Sequence, residues 1–171
     1  MRYEALTVAT TATTKQALIE QVQQLLRAEH AVAERQALET AASANDPEAK
    51  PENDKDTRKV ELSYLAAGQA ERTRGLAAAL AVLGSMGVRT IAPRAPIESG
   101  ALVSLKIDDK PQRVLVLPAG GGIKLAYPGG VVSVVTPQSP LGSGLLGKTL
   151  GDEFELPLAG KQKTIEVVAV E

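Results

Sequence analysis

The chain has no cysteine and no tryptophan, and its only aromatic residues are Tyr3, Tyr64, Tyr127 and Phe154. Without cysteine there are no disulfides and no thiolate metal centres. Four scattered rings supply neither a base-stacking platform nor an aromatic-lined pocket, so the core has to be aliphatic. An excess of charge is missing too: 19 basic against 20 acidic side chains leave a formal charge of −1. That balance gives no footprint for wrapping nucleic acid or lying on an anionic membrane. No apolar run approaches the ~18 residues of a membrane span. The start, MRYEALTVATTATTK, has no apolar signal segment. These absences lead us to expect a soluble, cytoplasmic protein.

What is present changes character near residue 88. Before it lie two runs rich in Ala, Leu, Glu and Gln, separated by the polar stretch ASANDPEAKPENDKD. In the first run, Thr13 followed by Gln16 reads as a capping box. Leu18, Val22, Leu25 and Val32 then form an apolar stripe that thins to Ala33, Ala37 and Ala41. The second run, from Thr57 to Leu83, places Leu62, Leu65, Leu76, Leu80 and Leu83 on one side, and Gly84 and Gly87 end it. Two helices of about 30 and 28 residues, each roughly 40–45 Å long, predict an antiparallel hairpin. His30 has no partner cluster and reads as structural or exposed.

After residue 88 come short Val-, Leu- and Ile-rich stretches punctuated by glycine and proline. Residues 101–107, 112–118, 122–130, 131–137 and two closing segments up to Glu171 read as five or six strands. The expected fold class is α+β: a coiled-coil hairpin over 1–87 with a tip loop near 45–56, then a small α+β domain over 88–171.

One segment invites a chemical reading. GSGLLGKT, Gly142 to Thr149, fits G-x-x-x-x-G-K-T, the signature of a phosphate-binding loop. Such a loop leaves a buried strand directly and runs into a long helix whose N-terminus holds the phosphates. Here Pro137 and Pro140 intervene before Gly142, and Gly151 and Pro157 come too soon afterwards for a long helix. The same residues read better as a short helix capped by Ser139, with Pro140 at its first position. Leu141, Leu145 and Leu146 would be buried, Gly147 would end it, and Lys148 would stand at its negative end.

The longer segment VVTPQSPLGSGLLGKTLGDEFEL resembles the C-terminal signature of the GreA/GreB transcript-cleavage factors, T-P-x-S-P-[LI]-G-x-x-L-L-G-K-x-x-G-D. The resemblance implies an N-terminal antiparallel coiled coil and a C-terminal FKBP-like domain. It also implies a partner, bacterial RNA polymerase. The C-terminal domain would dock at the rim of the secondary channel, and the hairpin would enter the channel. Docking contacts carry over to Gln138, Ser139, Pro140, Leu141 and Gly142, with Gln138 standing where some members have Asp or Asn. In that family, acidic residues of the hairpin tip help hold a Mg²⁺ ion in the polymerase's own active site, which cleaves backtracked RNA.

The tip resembles the family more loosely. DTRKVELSYLAAGQAE is similar to the start of the family's second helix, yet aligning on Tyr64 puts Thr57 and Val60 at the two carboxylate positions, and sliding by one residue recovers Asp56 but leaves Lys59 in the second place. The nearby acids are Asp46, Glu48, Glu52, Asp54, Asp56 and Glu61, with Lys50, Lys55, Arg58 and Lys59 among them. Mg²⁺ needs only one or two protein carboxylates beside water and phosphate oxygens. Asp54 and Asp56 are therefore the candidate metal ligands, and Asp54, Asp56 and Glu61 the candidate catalytic carboxylates. Asp56 as a helix cap is the rival reading. The chain would have no cofactor of its own, only Mg²⁺ shared with the polymerase, and would not itself be an enzyme.

Two functional branches stay open: a factor that stimulates cleavage of backtracked RNA, and a channel-binding regulator or competitor without cleavage activity. We expect a monomer with no membrane contact and no direct sequence-specific binding of nucleic acid, DNA contact of a general kind being left open by the resemblance. Prolyl isomerisation and nucleotide binding are remoter alternatives.

Overall fold

The computed structural model describes residues 2–44, 58–88, 90–92, 94–128 and 130–171. In order these form α1 (Arg2–Ala44), α2 (Arg58–Ser85), β1 (Leu102–Ile107), β2 (Lys110–Val116), β3 (Lys124–Tyr127), β4 (Gly130–Val135), α3 (Pro140–Leu145), β5 (Glu153–Leu158) and β6 (Lys161–Val170). The architecture is α+β, as the sequence pattern implies. The chain divides into two compact units, one of Met1–Gln23 with Val82–Glu171, the other of Gln24–Ala81.

The first helix corrects the expected start and length. It runs 43 residues, so Thr13 lies inside the helix and not at its start. The side-chain amide of Gln16 donates to Glu20 at 2.9 Å, an i,i+4 pair within the helix. The cause is legible in retrospect: the first proline is Pro47 and the first glycine is Gly68, so nothing before them breaks a helix. The Thr and Val of the opening run each cost at most about 0.7 kcal/mol relative to Ala. A capping pattern without a breaker upstream is then no boundary.

The apolar stripes also shift. On α1 the inward positions are Lys15, Leu18, Ile19, Val22, Leu26 and Ala33, while Leu25 and Val32 are about half exposed. Ala37 and Thr40 continue the inward stripe, and Ala41 is exposed. On α2 the less exposed positions are Leu62, Ala66, Gln69, Thr73, Leu76, Leu80 and Leu83, alternating steps of four and three as a coiled-coil seam requires. Leu65 falls off that seam and is exposed.

Within the unit Gln24–Ala81, the helices are joined by Thr40 Oγ1 donating to Gln69 Oε1 at 2.9 Å and by an Arg72–Glu29 ion pair at 2.7 Å. Both residues of that pair are well exposed, so it adds little to stability. The seam around Ala33, Ala66, Gln69 and Thr73 is small and polar, which limits what burial contributes there.

Two glycines weaken α2. Gly68 and Gly75 sit inside the helix with nothing within 4 Å of where a Cβ would stand. We expect Gly68→Ala and Gly75→Ala to stabilise the hairpin by about 0.5–1 kcal/mol each, since alanine lowers the entropy of the unfolded chain without a clash. Urea unfolding followed by helical circular dichroism checks this, and unchanged or lowered stability counts against an open helical setting.

The sheet has the order β3-β4-β2-β1-β6-β5. Only β2 and β4 are parallel, and β1–β2, β1–β6, β3–β4 and β5–β6 are antiparallel. One face carries Val103, Leu105, Val114, Val116, Ile165 and Val167, and Leu145 of α3 joins the same core. Register puts Leu102, Leu115 and Val134 on the other face, and these too are buried. At Leu102–Val103 and over Val114–Leu117 the buried hydrophobic residues therefore run on without alternation, as in a strand covered on both sides, while the rest of β1 alternates.

Lys15 is the one buried charged residue of the described chain, at 1% exposure, and its ammonium donates to the carbonyl of Gly100 at 3.2 Å. Burial pushes its pKa below the ordinary lysine value, and the charge of Glu171 works in the opposite direction. Nearby, Gln23 donates to the carbonyl of Leu83 at 3.1 Å, and Leu18, Ile19, Val22 and Leu83 are buried in the same unit.

Candidate functional site

β4 ends at Val135, and the chain then turns through Thr136-Pro137-Gln138-Ser139 into α3. Ser139 is extended (φ −77°, ψ 149°), as an N-cap must be, with Pro140 at the first helical position. Its backbone N–H donates to Thr136 O at 2.9 Å, and its hydroxyl donates to the same carbonyl at 2.8 Å. That hydroxyl also accepts from Gly142 N at 3.1 Å. One side chain thus closes the turn and satisfies one of the helix's orphan N–H groups.

Gly142 stands at the closest approach in this turn. A Cβ built on it would lie 2.0 Å from the Thr136 carbonyl oxygen, a backbone atom with little freedom to move. The helix then ends at Leu145–Leu146, and Gly147 takes a positive φ of 78°, the left-handed stop that glycine adopts freely. The segment before β1 secures this end: Gly147 N donates to Ile97 O at 2.9 Å, and Ile97 N to Lys148 O at 2.7 Å.

The rest of the signature forms a second turn. Asp152 accepts from Thr149 N at 2.8 Å and from Thr149 Oγ1 at 3.3 Å, while its own N–H donates to Thr149 O at 3.1 Å. Gly151 N donates to Val167 O and Val167 N to Asp152 O, both at 2.9 Å, which enters β5 into the sheet beside β6. The Lys148 ammonium lies 5.1 Å from the centre of the Phe154 ring, a cation–π distance.

This geometry speaks against a phosphate cradle in the G-x-x-x-x-G-K-T stretch. Four of its residues, Gly142 to Leu145, are helix rather than loop, and Lys148 comes after the C-terminal end of α3 instead of preceding an N-terminus. Beyond Lys148 the chain forms a turn and then β5, so no long helix supplies N–H donors to an anion.

Among the five residues carried over as docking contacts, Gln138 and Pro140 are exposed, Ser139 and Leu141 are half-buried, and Gly142 is buried. Leu141 packs against the core beside Leu145, so its side chain is used inside the domain. Leu146, expected inside, points out at 37% exposure, and Leu150 is 40% exposed beside it in sequence. A helix of six residues has one narrow inward face, and Leu145 already fills it. The sequence reading missed Phe154 and Thr149 as parts of this unit, since Thr149 stands at an unspecified position of the signature and Phe154 lies beyond it, whereas Asp152 is one of its specified residues.

Tip candidates separate differently. Asp54 and Asp56 lie outside the described residues. Glu61 is exposed in the first turn of α2, where a carboxylate complements the positive end of the helix dipole. Val60 beside it is 53% exposed. Among the described residues no three His, Asp or Glu side chains gather to hold a metal ion. His30 is half-buried in α1. The aromatics do not converge either: Phe154 packs on the α3 side of the sheet, whereas Tyr127 pairs with Gly130 at the end of β3 and lies against Arg113. An isomerase pocket lined by both rings is therefore not formed.

No curated protein matches this sequence. Among solved structures the chain is similar to GreA factor homolog 1 (Gfh1) of Thermus thermophilus, at 18% identity and a TM-score of 0.37, over 87% of this chain and 94% of that one. Thermus aquaticus Gfh1 gives 18% identity and a TM-score of 0.39, over 86% and 92%. A GreA/GreB elongation factor of Nitrosomonas europaea gives 21% and 0.35, over 56% and 78%. At these identities and scores the overlaps add no argument of their own. The family model of the GreA/GreB transcription elongation factor C-terminal domain matches residues 92–171, which include the whole sheet, α3 and both turns of the signature. Residues 92–171 thus match the C-terminal domain of the GreA/GreB transcription elongation factors.

Proposed function

We propose that this chain binds bacterial RNA polymerase at the rim of the secondary channel and modulates elongation from there. The observation that carries this reading is the Gre C-terminal domain over 92–171, with the Ser139-capped turn intact. The contact surface is the outward side of that turn, Gln138 and Pro140. Ser139 and Gly142 shape the surface rather than touch the partner. The helical hairpin is the part that enters the channel, and the protein acts as a cytoplasmic monomer.

Of the two branches, occupation of the channel without strong cleavage is favoured by the tip. Val60 is an exposed apolar side chain where the family alignment asks for a carboxylate, and Arg58 and Lys59 stand beside it. Adjacent cations oppose a second Mg²⁺ electrostatically. In the other branch Asp54, Asp56 and Glu61 lend carboxylates to a Mg²⁺ ion shared with the polymerase. In both branches the bond-breaking chemistry belongs to the polymerase, and this chain is not itself an enzyme.

Competition decides the reading. Purified chain is expected to displace a labelled cleavage factor from core polymerase at micromolar concentration, and failure to displace it overturns the docking proposal. Added to stalled, backtracked complexes, it is expected to leave the RNA length unchanged. Shortened RNA that is lost in Asp54→Ala with Asp56→Ala decides for the cleavage branch.

A further inference from the structure

The connection between β2 and β3, Leu117 to Ile123, carries three consecutive glycines, Gly120, Gly121 and Gly122. Gly120 and Gly122 have positive φ, 81° and 89°, in the left-handed region that glycine enters freely. Gly121 between them is not left-handed, so backbone strain gives no reason for a glycine there. Space does. A Cβ built on Gly121 would lie 3.0 Å from Thr136 Cγ2, with Thr136 Oγ1 at 3.5 Å and Thr136 Cβ at 3.8 Å.

Thr136 is also the residue on which the Ser139 turn closes. Its carbonyl accepts from Ser139 N at 2.9 Å and from Ser139 Oγ at 2.8 Å, and Gly142 is packed against the same carbonyl. The loop is tied to the end of β4 as well. Leu117 N donates to Val135 O at 2.9 Å, Gly122 N to Val134 O at 2.9 Å, and Val134 N to Ile123 O at 2.8 Å. The loop therefore cannot swing away from Thr136 without opening those bonds. Nor does the threonine turn aside freely, because two heavy atoms on Cβ restrict its χ1. A side chain at position 121 would displace Thr136, and with it the carbonyl that holds Ser139.

We infer that Gly121 is a positioning residue of the docking turn: its missing side chain leaves Thr136 where one carbonyl takes both Ser139 bonds. This rests on the Ser139 turn being the surface that meets the polymerase. Gly121 lies outside the T-P-x-S-P signature, so the shape of that surface is set from two loops instead of one.

The test uses Gly121→Ala in the full chain, alone and in a Thr136→Ser background that lacks the Cγ2 methyl. In the free ¹⁵N-labelled protein, Gly121→Ala is expected to shift the amides of Ser139 and Gly142, both donors within the turn. On core polymerase it is expected to displace a labelled cleavage factor about tenfold more weakly, under conditions where circular dichroism shows the variant fully folded. In the Thr136→Ser background the same change should cost less than about twofold, because the new Cβ then meets no methyl. A merely structural glycine would lower the urea midpoint and leave the affinity of the folded protein unchanged, and that result overturns the inference. Unmoved Ser139 and Gly142 amides overturn it too, as does an equal loss in both backgrounds. If Gly121→Ala alone does not fold, Thr136→Ser has to restore folding, and no restoration counts against the contact. An unmodified chain that fails to displace the factor sinks the docking reading and this inference with it. Failure of the variant comparison alone leaves the docking reading standing.

Discussion

Gly142→Ala is expected to destabilise the C-terminal domain by about 3 kcal/mol or more, a large share of the ~5–15 kcal/mol by which a domain is stable. The added Cβ would stand 2.0 Å from Thr136 O and 2.7 Å from Thr136 C, both backbone atoms. Relief requires Thr136 to move. Thr136 O accepts from Ser139 N and from Ser139 Oγ, so moving it opens the turn and uncaps α3. Losing an N-cap alone costs about 0.5–2 kcal/mol, and the steric shift adds to it. Gly144→Ala is the internal control. Its Cβ would meet side chains instead, Phe154 at 3.2 Å and Leu156 at 3.4 Å, which can rotate aside. That variant should lose roughly 1 kcal/mol, since helix propensity offsets part of the crowding. Chemical denaturation of both variants checks the ordering, and equal losses would sink the backbone-clash argument.

The C-terminal half was legible in the sequence because its signals are local: strands bounded by glycine and proline, and a serine-proline that starts a short helix. The six strands fall within or across the stretches read for them, and α3 begins at Pro140 under the Ser139 cap as its residues imply. The signature's glycines and Asp152 proved to be turn-formers, which explains why so many of its positions are specified. They hold a shape, and only Gln138 and Pro140 of the carried-over contacts remain exposed to meet a partner. The helical half was read less well. Alanine fills both the seam and the outer faces, so the stripe cannot be placed by hydrophobicity, and Leu25, Val32 and Leu65 misled by size alone. Arg113 with Tyr127 was illegible for a different reason: the pair is brought together by strand register, and no spacing within the chain announces it.

Lys15 shows the reverse case, a signal that was present and pointed inward. It stands three residues before Leu18 and seven before Val22, on the stripe that is buried, and polarity alone argues for solvent. Its ammonium instead meets the Gly100 carbonyl. Replacing it with glutamate sets a carboxylate against that carbonyl and near the charge of Glu171, so acceptor faces acceptor and like charge faces like charge. Lys15→Glu is therefore expected to lose about 3–5 kcal/mol at neutral pH, the range for an uncompensated buried charge. Burial should raise the new carboxyl's pKa, so the loss shrinks as the pH falls and the group takes up a proton. Lys15→Met separates charge from volume. It forfeits the hydrogen bond but also the cost of burying an ammonium, and at neutral pH should change stability by no more than about 2 kcal/mol. The wild-type pH dependence has a definite sign. With the folded pKa lowered from 10.5, the unfolded chain binds more protons between the lowered value and 10.5, and the lysine's contribution to stability rises with pH across that window. Relative to Lys15→Met, the wild type should thus gain stability on going from neutral pH towards pH 10. Urea midpoints of the three proteins across that range measure it, and a wild type that falls relative to Lys15→Met would show that the ammonium is stabilised, not penalised, by its site.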